Sequence, residues 1–228
     1  MDRNTPTATV TAFTDIMCGW STLAFHRFYR ARSAAGLDGR VFLDPQLFLL
    51  EDVNATAWNS AVTEGEKPVL VALEEGLELR PWQRDPSEFP VTSLPANEAV
   101  HAAKEQSPTA AEQLDMALRM AFWRDGRCIS MGHEILDVAA GCDAVDVDRL
   151  GEALDDGRAR GAMMRAYRTR SERVRGSAHF FLPDGSDVHN PGIAMHEVGE
   201  TGYLVVDSDD PTVYEEMLRR VATAAGLD

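Results

Sequence analysis

The stretch that most limits how this chain can fold is Thr9 to Phe28, TVTAFTDIMCGWSTLAFHRF. Val10–Phe13 is an extended run, and Thr14–Asp15–Ile16–Met17 breaks it. From Cys18 onward the spacing turns helical. Trp20, Leu23, Ala24, Phe28 and Ala31 form one apolar stripe, which predicts a helix closing near Gly36, a residue suited to the left-handed cap position. A strand that feeds a helix through a short turn puts Cys18 at the helix start. Unpaired N–H groups and the positive dipole end there favour a thiolate over a thiol. The plainer reading of Cys18 is a small buried hydrophobe, since free cysteine is among the most buried residue types.

Val41–Leu43 and Gln46–Leu49 read as a second strand region, interrupted by Asp44–Pro45. Strand, helix and strand at this spacing predict a βαβ unit with parallel strands. From about residue 57 to 173 the pattern is helical. Val69, Leu70, Leu73 and Leu77 form a stripe, with Pro68 suited to a first helical turn. Ser107–Pro108, Ser130 and Asp146 are candidate caps for three further helices, and residues 158–173 read as a basic amphipathic helix with six arginines. Extended character returns at Ala178–Leu182, Asp187–His189 and Tyr203–Val206. A closing helix starts at Asp210–Pro211. The simplest assembly is an α/β fold: residues 8–56 plus 174–228 make one domain, and an all-helical domain, 57–173, is inserted between its halves.

The formal net charge of −15 argues against a nucleic-acid or anionic-membrane surface, both of which need a basic face. No apolar run reaches the length needed to span a bilayer, and Met1–Thr7 has no apolar signal core, so a cytoplasmic location is expected. The three cysteines, Cys18, Cys128 and Cys142, cannot all pair within one chain, and none lie at structural zinc spacing. Cys128 and Cys142 read as structural thiols. Asp187, His189 and His196 make a weak metal set, and no metal is expected.

The segment Asp15–Ile16–Met17–Cys18–Gly19–Trp20–Ser21 resembles the D-x-x-C-P-W-C segment of DsbA-like, FrnE-like cytoplasmic thioredoxin-fold oxidoreductases. That superfamily also includes 2-hydroxychromene-2-carboxylate isomerases and kappa-class glutathione transferases. The resemblance implies a thioredoxin-like domain with an inserted all-helical domain. It also implies that Cys18 is the nucleophile and that Trp20, Ser177, Ala178 and His179 surround the substrate, a thiol or disulfide. Three positions depart from the pattern. Ser21 replaces the second cysteine, Gly19 stands where proline is usual, and Ala178 occupies the position of the family's cis-proline. A cis bond before a non-proline costs roughly 3 kcal/mol, so a trans bond is expected there.

Without a second thiol, Cys18 can attack a disulfide but cannot release itself through a neighbouring cysteine. Monothiol exchange or isomerisation remains, with a low-molecular-weight thiol as resolving partner and Ser21 donating its O–H to the thiolate. A non-catalytic binding protein with a decayed site, and a thiol-cofactor-dependent isomerase or transferase acting on small aromatic compounds, are the alternatives. His179 is a candidate to face Cys18 and stabilise the thiolate. Trp82, Phe89 and Trp123 either line an interdomain pocket or fill core, and the arginines of 158–175 read as a solvated face.

Overall fold

In the computed structural model, residues 7–199 and 203–227 are described. Strand β1 (Ala8–Thr14) leads into helix α1 (Gly19–Ala34), and β2 (Val41–Leu47) returns beside β1 in parallel, with Ala8 opposite Val41 and Thr14 opposite Leu47. Inward residues alternate along β1, placing Val10 and Ala12 in the core. Asp44–Pro45 does not interrupt β2. In the four-stranded sheet β2 pairs only with β1 and is an outer strand, where a proline's missing N–H need not cost a ladder bond.

Seven helices follow: α2 (Leu50–Val53), α3 (Ser60–Leu73), α4 (Leu94–Ala103), α5 (Pro108–Trp123), α6 (Gly132–Ala139), α7 (Val147–Asp155) and α8 (Arg158–Arg168). Ser107 and Asp146 cap α5 and α7 as their types predict, accepting from the N–H groups of Ala110 and Arg149. Ser130 does not cap α6; its hydroxyl donates to the Thr92 carbonyl instead. Pro68 does not start a helix. Asn59 caps α3, and Pro68 lies inside it, where it removes one N–H from the helical ladder. The basic helix stops at Arg168, earlier than its charge pattern predicts.

Strands β3 (His179–Phe181) and β4 (Asp187–His189) form an antiparallel pair, with β3 beside β1. The Ser177–Ala178 peptide bond is cis, contrary to the trans bond expected from the absence of proline. The loop is tied on both sides: Ser177 Oγ accepts the Asp15 N–H at 2.9 Å, and the Ala178 carbonyl accepts the Asn190 N–H at 3.0 Å. A separate two-stranded hairpin follows, β5 (Ile193–Val198) with β6 (Tyr203–Asp209), and then α9 (Val213–Ala225). The extended run at Tyr203–Val206 is β6, whereas its partner β5 carries no strand signal in the sequence.

Two large apolar clusters hold these pieces, and a small third one, Leu47 and Leu49 with Met163 and Tyr167, ties the end of β2 to α8. One joins the sheet to α1 and α9, with Phe180 packed between Phe25 and Phe28 and Tyr214 and Val221 closing it. The other fills the helical segment around Leu114, Leu118, Phe122 and Trp123, and takes in Ile16, Met17 and Leu23. Helix α1 therefore packs on both, and the turn at its start sits between them. Among the described residues no helix is long and apolar enough to cross a membrane.

Candidate active site

The turn between β1 and α1 is built on buried polar groups. Arg119 of α5 is fully buried. Its guanidinium pairs with Asp115 one turn earlier (2.7 Å), lies over the Phe25 ring, and donates to the hydroxyls of Thr14 (2.8 Å), Ser21 (2.8 Å) and Thr22 (3.2 Å). It also reaches the carbonyls of Asp15 and Ile16. Asp15, equally buried, holds the turn from the other side. Its carboxylate accepts from the N–H groups of Met17 (3.1 Å) and Leu50 (3.0 Å), the Ser93 hydroxyl (2.9 Å) and the Asn97 amide (3.5 Å). Burial pushes the Asp15 carboxyl up, and these donors pull it down.

Cys18 is the N-cap residue of α1 and is 5% exposed. Its sulfur lies 3.5 Å from the Ser177 carbonyl, to which the thiol donates. Ser21 does not reach the sulfur with its hydroxyl. That hydroxyl has the carbonyls of Asp15 (2.9 Å) and Cys18 (3.0 Å) as acceptors and takes the Arg119 donor. The position of the family's second thiol is therefore part of the buried scaffold. Gly19 is a close approach: a Cβ there would sit 2.5 Å from a Leu70 methyl and 3.0 Å from the Trp123 ring.

The expected thiolate is not what the surroundings favour. Burial pushes the Cys18 thiol up, and the Glu66 charge adds to this. Hydrogen bonds from Ser177 and the Ser21 N–H pull it down, and the Asp15 charge raises it again. Desolvation and two carboxylates outweigh the helix terminus.

Cys18 opens on a cavity of about 350 Å³. Trp20 and Ser177 line it, as do Leu50 of α2 and its C-cap Asn54, Ala57 and Trp58 from the following loop, and Met195 and Leu204 from the hairpin. The α3 N-cap Asn59 and, one and two turns on, Val62 and Glu66 reach it from one side of that helix. Glu66 accepts the Trp20 indole N–H at 3.1 Å, and burial pushes its carboxyl up to about 7. Ala178 is not among the lining residues; it is fully buried in the sheet cluster. Nor does His179 face Cys18. Its Nδ1 accepts the Arg175 N–H at 3.1 Å, and its Nε2 lies 2.8 Å from Asp187, so it braces the loop that carries Ser177.

The other candidates fall outside the cavity. Trp82, Phe89 and Trp123 pack with Phe122 in the helical core. Cys128 and Cys142 do not line the cavity, and Cys142 points at the Val138 carbonyl. Arg158, Arg160 and Arg173 are paired with Glu105, Glu98 and Asp187. His196 pairs with Asp207, and among the described residues no group of three or more His, Cys, Asp or Glu is placed to hold a metal. A helix start at Pro68 leaves Glu66 outside the helix and hides it, and Trp58, a lone aromatic in a loop, carries no local signal of a site. The signal was the Glu66–Leu70 spacing of four, which puts the acid one turn from the residue under Gly19.

A family model described as DSBA-like thioredoxin domain matches residues 9–189. No curated protein matches the chain. Among solved structures, a probable DsbA oxidoreductase from Streptomyces coelicolor is similar at 19% identity and TM-score 0.65, covering 97% of this chain and 91% of that one. The cytosolic disulfide reductase DsbM from Pseudomonas aeruginosa is similar at 16% identity and TM-score 0.59, with 95% and 100% covered. A 2-hydroxychromene-2-carboxylate isomerase is similar at 14% identity and TM-score 0.60, with 96% and 99% covered. At these identities the likeness is one of fold.

Three outcomes are expected from this geometry. A thiol pushed up stays protonated at neutral pH. With Cys128 and Cys142 changed to serine, the Cys18 alkylation rate should therefore rise with an inflection above the ordinary thiol value of ~8.5. Glu66→Gln, which removes a negative charge, should move that inflection down; an inflection below the ordinary value contradicts this account. Arg119→Met leaves Asp115 buried without its cation. Chemical denaturation should show a loss of about 3–5 kcal/mol, and a loss below about 1 kcal/mol would mean that the pair does not hold the turn.

Proposed function

Since this chain belongs to the DSBA-like thioredoxin domain family, we propose that it is a monothiol thiol–disulfide oxidoreductase or isomerase with Cys18 as nucleophile and a low-molecular-weight thiol as resolving partner. The observation that carries this reading is the cavity: it brings the Cys18 turn and the Ser177 loop to the wall of a space sized for a small molecule. The DsbM structure with bound GSH is similar in fold at 15% identity and TM-score 0.57, which supports a small thiol as partner. In this reading residues 8–56 and 174–228 form the thioredoxin-like unit. The helical insertion, 57–173, supplies Trp58, Val62 and Glu66 to the far wall, and the protein works in a reducing cytoplasm.

The exchange balances without a second cysteine. The Cys18 thiolate attacks one sulfur of a small disulfide. A bond forms between them, the substrate S–S bond breaks, and the second half leaves as a thiolate. The Cys18 proton passes to the Glu66 carboxylate or to water and ends on the departing sulfur. A free small thiol then attacks the substrate-derived sulfur of the mixed disulfide, forms a new small disulfide and returns Cys18. Ser177 and Trp20 hold the substrate, while Ser21 acts through the turn rather than on the sulfur.

The raised Cys18 thiol favours a second reading, in which a protonated Cys18 donates its S–H to the thiolate of a bound cofactor and the protein is a thiol-dependent isomerase or transferase. Steady-state reduction of a small disulfide by a small thiol separates the readings. With Cys128 and Cys142 replaced by serine, turnover should persist, and Cys18→Ser should return it to the uncatalysed rate. Turnover that survives Cys18→Ser, or none in the parent, rejects the oxidoreductase reading.

A further inference from the structure

The charges around the sulfur bear on which small thiols this cavity accepts. Among the described residues, its lining contains no Lys, Arg or His. Two carboxylates reach it, and they are not equivalent. Glu51 is occupied: one oxygen accepts the Thr92 hydroxyl at 2.5 Å, the other the Ser93 N–H at 3.0 Å. Glu66 is half occupied. Its Oε1 accepts the Trp20 indole N–H at 3.1 Å, and among the described residues no donor is paired with Oε2. Glu66 is near enough for its charge to act on Cys18. Trp20 and Trp58 give the wall two indole rings, surfaces that attract cations, and among the described residues the Trp58 indole N–H has no acceptor. A carboxylate-bearing thiol entering here meets Glu66 with no cation to offset it. An ammonium completes the free side of Glu66 and has aromatic faces beside it.

Resting on the exchange reading, we propose that the small thiol or disulfide taken by Cys18 carries a protonated amine, which pairs with Glu66, and that the cavity disfavours thiols that bring a carboxylate without an amine. Glu66 is then the residue that sets specificity, and Trp20 holds its carboxylate in place.

Three disulfides of similar length test this: cystamine, bis(2-hydroxyethyl) disulfide and 3,3′-dithiodipropionate, which are cationic, neutral and anionic. The rate of adduct formation at Cys18 is followed by intact mass on the full chain with Cys128→Ser and Cys142→Ser. Each rate is divided by that of an unstructured cysteine peptide. The normalised rates should fall in the order cationic, neutral, anionic, with about tenfold between the extremes, the effect of one partly buried ion pair. Glu66→Gln should bring that ratio toward one. Equal or reversed rates overturn the proposal while the exchange reading stands. An order that Glu66→Gln leaves unchanged also overturns it, and assigns the preference to the overall charge of −15. No adduct with any disulfide removes the exchange reading and the proposal with it. A second measurement needs no variant at Glu66. Propylammonium should slow adduct formation with the neutral disulfide, and propionate at the same concentration should not; the opposite result overturns the proposal.

Discussion

The site rests on one buried guanidinium. Arg119 comes from α5, far along the chain, yet it binds Thr14 at the end of β1, the carbonyls of the turn, and Ser21 and Thr22 on the first turn of α1. A fully desolvated cation is costly unless it is paired and its donors are used, and here Asp115 supplies the counter-charge and the turn supplies the acceptors. The arrangement works as a clamp. It fixes the strand, the turn and the helix start against each other, and so fixes where Cys18 stands. Asp15 closes the clamp from above by binding α2 and the start of α4, which carries the order of the turn into the wall of the cavity.

This clamp changes what the active-site motif can do. The hydroxyl that stands in place of a second thiol is a structural hydrogen-bonding group beneath the cysteine. The turn also brings Cys18 into a buried, acidic neighbourhood, where burial together with Glu66 and Asp15 favours the neutral thiol over the anion. A helix N-terminus alone is worth at most a couple of kcal/mol, less than desolvation can cost a charge.

Local chemistry was legible in the sequence, and long-range chemistry was not. The Cys18 turn, the Gly36 stop, and the caps at Ser107 and Asp146 follow from residue types and neighbours within one turn, and the structure has them. Arg119 was hidden because an arginine in a helix is ordinarily a surface residue. Its only trace was an acid four residues earlier, beside the buried Leu114 and Leu118. Glu66 was hidden by a proline that the fold tolerates inside α3. Strand β5, whose exposed positions include His196 and Glu197, lacks the apolar alternation that marks a half-buried strand. His179 is a candidate to face Cys18 because it neighbours the proline position at Ala178, but as a strand residue it points away, toward Asp187.

The central claim is that Cys18 alone carries a reversible exchange within this cavity. It is tested most directly by the mass of the folded chain with Cys128 and Cys142 changed to serine, first exposed to a small disulfide at neutral pH and then to a small thiol. The account predicts one adduct, located by peptide mapping at Cys18, and its complete removal by the second thiol. A folded protein that forms no adduct, or an adduct that the thiol leaves in place, would contradict it.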